Sequence, residues 1–395
     1  MNLNIERIEV LLLIAAIVAM VARRFKLPYT VGLVLAGAVL AIFPNLANLN
    51  LTRELVFTVL LPPLIFEAAI QMEWSALRGD LPVTLTLATV GVLAASGLTA
   101  AGIHFLLGWE WPPAVLLGVL ISATDPVSVI AAFKEAGVQG RLRMLVEAES
   151  LFNDGTAAVL FTLALAFLSG GKLTPLQVTS TFLITFVGGI LCGGSIALLL
   201  LRVTGHTEDH LVEITFSTIA AYGSFLVAEH FHLSGVMATL TAGILFGNYG
   251  SCRAISDKGR VDVLSFWEYA AFVANSLIFL LIGVRLTHQH FGAVWVTLAV
   301  VIVLVLSGRA VAVYGCCAPF ARSRWRVENR HQHILVWGGL RGALALALVY
   351  GLPPEMPRHD AVVTVVFGVV AFSVLVQGLT MPWVLRRLGA LTNNQ

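Results

Sequence analysis

The chain has 395 residues, of which 58% are hydrophobic and 12% are charged, and its mean hydropathy is +0.89. Because soluble domains carry about 25% charged residues, this composition excludes a soluble globular protein and places most of the chain in a lipid bilayer. The net charge of +2 gives no reason to expect a nucleic-acid partner. The sequence lacks a G-x-x-x-x-G-K-[ST] phosphate loop, so we expect no ATP binding, and we expect no cofactor.

Apolar segments of membrane-spanning length follow one another along the whole chain. A bilayer core is crossed by about 20 apolar residues in a helix, and the sequence divides into roughly thirteen such segments. They cover residues 6–22, 28–44, 53–71, 81–107, 113–133, 142–168, 176–202, 210–230, 233–248, 262–284, 292–317, 332–350 and 361–385. We therefore expect an all-α, polytopic membrane protein that forms one transporter domain over residues 1–395, with no soluble regulatory domain. The odd count, with motifs in segments 5 and 12, favours two inverted six-helix repeats around a linking helix.

The basic residues predict how the chain is oriented. If the loop at residues 23–26 lies inside, seventeen of the 24 Lys and Arg residues lie on the inner side and five on the outer side. Cytoplasmic loops are enriched in Lys and Arg. We therefore expect the N-terminus outside and the C-terminus in the cytoplasm.

A few charged residues remain within the apolar segments. A charge at mid-bilayer costs about 2.5–3.5 kcal/mol, so such residues face a bundle interior or a wet cavity. The four acids and two bases of this kind are Glu67, Asp125, Glu149, Asp154, Arg309 and Arg341. Their excess of negative charge is what a cation site requires. Glu67, one turn after Pro62-Pro63, is either a ligand or entrance acid, or an interfacial carboxylate that reaches toward water.

The sixth segment contains Glu149-Ser150-Leu151-Phe152-Asn153-Asp154-Gly155. At about 100° per residue, Ser150 and Asp154 share one face, while Glu149 and Asn153 share a neighbouring one. A hydroxyl and a carboxylate one turn apart offer the hard oxygen ligands that small cations prefer. Glu149 is better placed to pair with an arginine, and Arg309 is our preferred partner. The alternative is that both acids form structural ion pairs.

Two segments carry residues that interrupt a helix. Pro126 lacks an N–H and disfavours helical geometry at Asp125, so Thr124-Asp125-Pro126 predicts a helix that unwinds in mid-membrane. The Thr124 carbonyl would then be a cation ligand, and Asp125 would offset the positive end of the following half-helix. Gly338-Gly339-Leu340-Arg341-Gly342 predicts a second break, in which Arg341 could neutralise half-helix C-termini. The alternatives are a simple proline kink and tight packing around the glycines.

Taken together, these motifs resemble those of the monovalent cation/proton antiporters, in the branch of the bacterial NhaP-type sodium/proton antiporters and the animal sodium/hydrogen exchangers. The matching stretches are Leu61–Glu67, Ala123–Val127, Glu149–Gly155, Asn275–Gly283 and Gly338–Ala343, in the family's order. The resemblance implies an antiporter fold in which unwound helices 5 and 12 cross. It also implies a homodimer, with a transport core that includes helices 3–6 and 10–13 and a dimerisation part formed by the remaining helices.

The resemblance also implies roles for single residues. Asp154 would bind either a cation or a proton, and Ser150, Glu67 and the Thr124 backbone would complete the coordination of Na⁺. Family members with an Asn-Asp pair, here Asn153 with Asp154, look electroneutral, exchanging one cation per proton.

Four further residues would form a structural charge network. By the same resemblance, Glu149 and Arg309 would make a salt bridge in the core, and Asp125 and Arg341 would neutralise the broken helices. By the same resemblance, Asn275 lies at a position where animal exchangers would have a glutamate. The asparagine favours a bacterial protein in the plasma membrane.

The expected activity is exchange of Na⁺, with Li⁺ as a further substrate, for H⁺ by alternating access, so the protein is not an enzyme. A K⁺/H⁺ antiporter of the same fold remains an alternative, because oxygen ligands alone do not select the cation. A cation channel would need a ring of acids or carbonyls along a continuous pore. An intramembrane aspartyl protease would need Asp125 and Asp154 to share a proton, which the nearby arginines oppose.

Overall fold

The computed structural model describes residues 5–25, 28–42, 54–171, 174–204, 209–250 and 256–389, and these residues form helices and their connections. The helices of the first half are α1 (Ile5–Phe25), α2 (Tyr29–Leu40), α3 (Leu61–Ile70), α4 (Trp74–Thr86), α5 (Val92–Leu107), α6 (Trp111–Leu120), α7 (Val127–Ala136), α8 (Arg141–Leu168) and α9 (Pro175–Thr204). Those of the second half are α10 (His210–Thr218), α11 (Ser224–His230), α12 (Gly235–Leu245), α13 (Asp257–Thr287), α14 (Trp295–Cys317), α15 (Asn329–Trp337), α16 (Ala343–Val349), α17 (His359–Phe372) and α18 (Leu379–Arg387). The all-α prediction is confirmed for these residues.

Short π-helical stretches either join two helices end to end or extend one helix. These stretches are Leu55–Leu60 before α3, Leu87–Gly91 between α4 and α5, Ile219–Gly223 between α10 and α11, Phe246–Gly250 after α12 and Ser373–Gly378 between α17 and α18. The continuous helices that result are longer than the individual α-helical pieces.

Seven helical stretches among the described residues are long and apolar enough to cross a membrane. They are Trp74–Leu107, Arg141–Leu168, Pro175–Thr204, His210–His230, Gly259–Thr287, Trp295–Phe320 and His359–Arg387. Shorter apolar helices lie at Glu9–Ala22, Tyr29–Leu40, Leu55–Ile70 and Trp111–Leu120. The chain is therefore a multi-pass membrane protein. Of the basic residues behind the predicted orientation, Lys26, Arg53, Lys172 and Arg253 lie outside the described residues.

The helix predicted to begin at residue 81 begins at Trp74. The additional turns contain Arg78 and Asp80, two charged residues outside the apolar segment 81–107. Asp80 is buried, and both of its carboxylate oxygens accept hydrogen bonds from Arg141, at 2.9 and 2.6 Å. A partner 61 residues away thus allows a charged residue to lie inside a helix.

Two helices break in the middle of the bundle and cross there. The chain leaves α6 at Leu120 and becomes helical again at Val127, where α7 begins. It is likewise not helical between the end of α15 at Trp337 and the start of α16 at Ala343. The Asp125 backbone N–H donates to the Leu340 carbonyl at 2.8 Å, which joins the two unwound segments. These breaks free backbone groups that neither helix can satisfy internally.

Helix α13 carries residues from the edge of the bundle to its centre. Its N-terminus is anchored by Glu213, a fully buried carboxylate that accepts a hydrogen bond from the Ser256 backbone N–H at 2.9 Å. A negative charge at this position is favourable because of the helix dipole. The role of this acid could not be predicted from sequence alone, since residues 213 and 256 are brought together only by the fold. Further along, α13 contributes Glu268 and Asn275 to the central cavity.

Candidate ion-binding site

A cavity of about 420 Å³ lies beside the crossing of the broken helices. Its polar lining comes from α2, α3, α8, α13 and the unwound segment before α7, and the polar residues are Tyr29, Glu67, Gln71, Thr124, Asp125, Arg143, Glu147, Asp154, Glu268 and Asn275. Five of these are carboxylates and one is an arginine. Gln71 and Glu268 are exposed, so the cavity meets solvent at the end where they lie. Its charge balance favours cations over anions.

Asp154 lies in the cavity wall on α8, two turns beyond Glu147. Within the described part of the chain, its carboxylate has no hydrogen-bond or ion-pair partner. The charged groups that act on it are Asp125 and Glu149, and both are acids. Asp154 is half-buried, and a carboxylate withdrawn from water without a partner favours any species that neutralises it.

A chain of hydrogen bonds lies behind Asp154. Fully buried Asn153 accepts from the Thr124 backbone N–H at 3.1 Å, and its amide nitrogen donates to the Thr124 hydroxyl and to Glu149 at 3.1 Å. The Thr124 and Ser150 hydroxyls share a hydrogen bond of 3.1 Å. This network ties α8 to the unwound segment of the first broken helix. It also turns the Ser150 hydroxyl toward Thr124, and Ser150 is absent from the described cavity lining.

The predicted pair of Glu149 and Arg309 is present as a bidentate ion pair. The Arg309 Nη1 and Nη2 atoms donate to Glu149 at 2.7 and 2.9 Å, and both side chains are buried. Arg309 also donates to the Leu335 carbonyl, at 3.2 Å from Nε and 3.1 Å from Nη2. That carbonyl is in the last turn of α15, where the break removes its helical partner. A Cβ at Gly339 would lie 2.8 Å from Arg309 Nε, so the glycine makes room for the guanidinium.

Arg341 and Asp125 lie at the ends of the other half-helices. Arg341 is buried, and its Nη1 is 3.5 Å from the Ala123 carbonyl, just beyond the end of α6. Asp125 accepts a hydrogen bond from the Val127 backbone N–H at 3.0 Å, at the start of α7. Its carboxylate packs so closely against Gly342 that a side chain there would collide with it. The negative group thus faces a helix N-terminus and the positive group faces a C-terminus, which is the favourable arrangement.

Glu67 also lines the cavity, where it accepts a hydrogen bond from the Gln71 side chain one turn later on the same helix. The structure therefore brings Glu67, Thr124 and Asp154 to one cavity. Glu147, Glu268 and Tyr29 also line this cavity, and the sequence did not single them out. The i, i+4 spacing of Arg143 and Glu147 was the available signal for a paired carboxylate at the mouth of the cavity.

Broken helices that cross beside a carboxylate-lined cavity in mid-bundle are typical of secondary transporters. The profile of the family described as sodium/hydrogen exchanger, transmembrane, matches residues 10–387. The chain belongs to this family, as its motifs had indicated.

Two relatives and one solved structure show how far the similarity extends. The Na(+)/H(+) antiporter ApNhaP of Aphanothece halophytica is 37% identical over 370 residues, which are 93% of this chain and 70% of that protein. The low-affinity Na(+)/H(+) antiporter NhaS1 of Synechocystis sp. is 37% identical over 404 residues, covering 98% of this chain and 75% of that protein. The sodium proton antiporter MjNhaP1 from Methanocaldococcus jannaschii has the same fold, with a TM-score of 0.77 over 98% of each chain at 18% identity.

Proposed function

We propose that this protein is a secondary-active antiporter that exchanges Na⁺ for H⁺ across the plasma membrane of a bacterium. The observation that carries the proposal is the Asp154 carboxylate, which lines a solvent-connected cavity and has no partner among the described residues. Membership of the sodium/hydrogen exchanger family supports it, as do relatives named Na(+)/H(+) antiporters.

Competition at Asp154 is sufficient to couple the two ions. The carboxylate holds either a proton or Na⁺, and in both forms its charge is neutralised. Because an uncompensated charge crosses the bilayer interior at high cost, the transport core moves only when Asp154 is loaded. Glu67 and the Thr124 backbone would supply further oxygen ligands for Na⁺, and Ser150 would do so if its hydroxyl turns away from Thr124. Asn153 adds no charge, so we infer exchange of one Na⁺ per proton.

The proposal includes an arrangement in the membrane. We infer thirteen membrane-spanning helices in two inverted repeats, with the N-terminus outside and the C-terminus in the cytoplasm. The transport core would include helices 3–6 and 10–13 of that count, and the other helices would pair two copies of the chain into a homodimer. In this orientation the cavity opens to the cytoplasm, since its solvent-exposed end lies beside Arg143, on the side assigned to the basic loops.

The test is a proton-gradient assay in everted membrane vesicles. We expect Na⁺ or Li⁺ to collapse an imposed proton gradient when the wild-type protein is present, and we expect Asp154→Asn to abolish this response because an amide neither releases a proton nor neutralises a cation. Asp360→Asn is the matched control, since it changes the same group at a fully exposed position outside the cavity. Substantial exchange by a correctly inserted Asp154→Asn protein would refute the assignment. A response to K⁺ in place of Na⁺ would identify the K⁺/H⁺ alternative.

A further inference from the structure

Three charged side chains lie where the cavity meets solvent: Arg143, Glu147 and Glu268. Arg143 and Glu147 have side-chain exposures of 30% and 22%, and Glu268 is exposed. Glu147 and Asp154 are seven residues apart on α8, which places them on the same face and about 10 Å apart along the axis. Helix α8 thus presents a row of charges that leads from the mouth of the cavity to Asp154.

The two carboxylates at the mouth differ in how much of their charge is available. Glu147 accepts a hydrogen bond from Arg143 Nε at 2.7 Å, so an opposite charge offsets its own. For Glu268, the described residues provide no hydrogen-bond or ion-pair partner. Of these two carboxylates, only Glu268 carries a charge that no neighbouring basic group offsets.

Helix stability gives no reason for this placement of Arg143. The residue is in the first turn of α8, where the helix dipole disfavours a cation. An arginine that precedes a glutamate by four residues is also the weaker order of an i, i+4 pair, and such pairs stabilise a helix by only about 0.3–0.5 kcal/mol. An arginine that is needed only to orient the chain in the membrane does not have to line the cavity. A role in the cavity explains both its position and its pairing.

We propose that Arg143 attenuates cation capture by neutralising Glu147, while Glu268 concentrates cations at the mouth of the cavity. The inference rests on the proposed exchange of Na⁺ for H⁺. A negatively charged mouth raises the local cation concentration and hence lowers the apparent KM for Na⁺ on that side. Neither the Arg143–Glu147 pair nor Glu268 needs to touch the ion at Asp154. Both therefore change how readily Na⁺ reaches the site and leave the maximal rate of exchange unchanged.

The proposal predicts a ranking of variants by the sign of the charge that each leaves at the mouth. Arg143→Gln frees Glu147 and should lower the apparent KM for Na⁺ by about two- to threefold, the size of one charge at this distance in a mostly aqueous setting. Glu268→Gln should raise it by a similar factor. Glu147→Gln leaves Arg143 unpaired and should raise it as well. The double variant Arg143→Gln/Glu147→Gln restores the wild-type charge, and its KM should return to the wild-type value.

The measurement is the Na⁺ dependence of exchange from the cavity side, in everted vesicles at low and at physiological ionic strength. The differences should shrink with added choline chloride, because the Debye length falls from about 30 Å at 0.01 M to about 8 Å at 0.15 M salt. Arg330→Gln is the matched control. It disrupts another Arg–Glu pair, with Glu328 at 2.6 Å, that is exposed and does not line the cavity.

The outcomes separate this inference from the function on which it rests. If wild-type protein exchanges Na⁺ for H⁺ but Arg143→Gln leaves the KM unchanged or raises it, the attenuator role is wrong. If Arg143→Gln and Glu147→Gln change the KM in the same direction, the pair has a structural role and the inference fails. Absence of exchange in the wild type would instead overturn the proposed function.

Discussion

The ion pair between Glu149 and Arg309 shows how charged residues become stable in a membrane bundle. Both carboxylate oxygens are bonded by the guanidinium, and Asn153 donates a further hydrogen bond to Glu149. Arg309 donates its further hydrogen bonds to the Leu335 carbonyl. A buried pair is stable only when its hydrogen-bonding groups are satisfied in this way. The residue network therefore fastens α8 and α14 to the broken end of α15.

Removing one partner should strand the other as a buried charge. We expect Arg309→Met to lower the free energy of unfolding by about 3–5 kcal/mol, and the double variant Glu149→Leu/Arg309→Met to recover part of the loss because it buries no charge. Arg309→Lys should be intermediate, since lysine lacks the planar fork that bonds both Glu149 and Leu335. Thermal unfolding of the purified protein measures the order. An Arg309→Met protein as stable as the wild type would show that the pair is unimportant for the fold.

The sequence predicted the partners of this pair but only part of their surroundings. Glu149 and Arg309 could be matched because few charges occur within the apolar segments. The bond from Arg309 to the Leu335 carbonyl could not be foreseen, since it depends on the residue at which α15 ends. Helical periodicity correctly placed Ser150 and Asp154 on one face, yet the Ser150 hydroxyl bonds Thr124. Periodicity fixes the direction of a residue from the helix axis and leaves the side-chain rotamer undetermined.

At the scale of the helices, the crossing of the two unwound segments depends on close backbone contact. The Asp125 N–H to Leu340 carbonyl bond holds the segments together, and Gly342 leaves room for the Asp125 carboxylate. The breaks themselves were visible in the sequence because proline and clustered glycines interrupt helices for local reasons. The true start of α4 was not visible, since the charge of Asp80 is compensated only by a residue distant in sequence.

A methyl group at Gly342 should therefore disturb the crossing. We expect Gly342→Ala to displace Asp125, weaken the cap on α7 and reduce exchange at least tenfold, by analogy with the 1–3 kcal/mol cost of overpacking a core. Gly315→Ala is the matched control, because apart from its chain neighbours and the backbone of its own helix no described atom lies within 4 Å of the position a Cβ would take. That control should be neutral or slightly stabilising, since alanine is the better helix former. Exchange and thermal-stability assays on both variants make the comparison. Equal activity of the two variants would show that the close contact between Gly342 and Asp125 is not needed for exchange.

At the scale of the whole molecule, the cavity gives the protein a defined sidedness. In the proposed orientation, its exposed end faces the cytoplasm, and the basic residues of the loops lie on that same side. The cytoplasmic assignment of the cavity opening follows from the loop charges, because Arg143, which was counted among the inner basic residues, lies at the mouth of the cavity.

Cysteine labelling tests this sidedness. In a chain whose four native cysteines are replaced, we expect Gln71→Cys at the mouth of the cavity to react with a membrane-impermeant maleimide in everted vesicles and to resist it in right-side-out vesicles. Glu355→Cys, at an exposed site between α16 and α17, should show the reverse pattern. Labelling of both positions from the same side would contradict the proposed arrangement of the helices.

The uncharged neighbour of Asp154 has a consequence for cell physiology. Asn153 remains neutral in its hydrogen-bonded position, so in the proposed cycle the site would cross the membrane without net charge whether it carries H⁺ or Na⁺. The membrane potential, worth about 2.3 kcal/mol per elementary charge per 100 mV, then does no work on the proposed one-for-one cycle. At equilibrium the ratio of Na⁺ across the membrane equals that of H⁺. A cell that relied on this protein could keep its sodium low only to the extent that its cytoplasm was more alkaline than its surroundings.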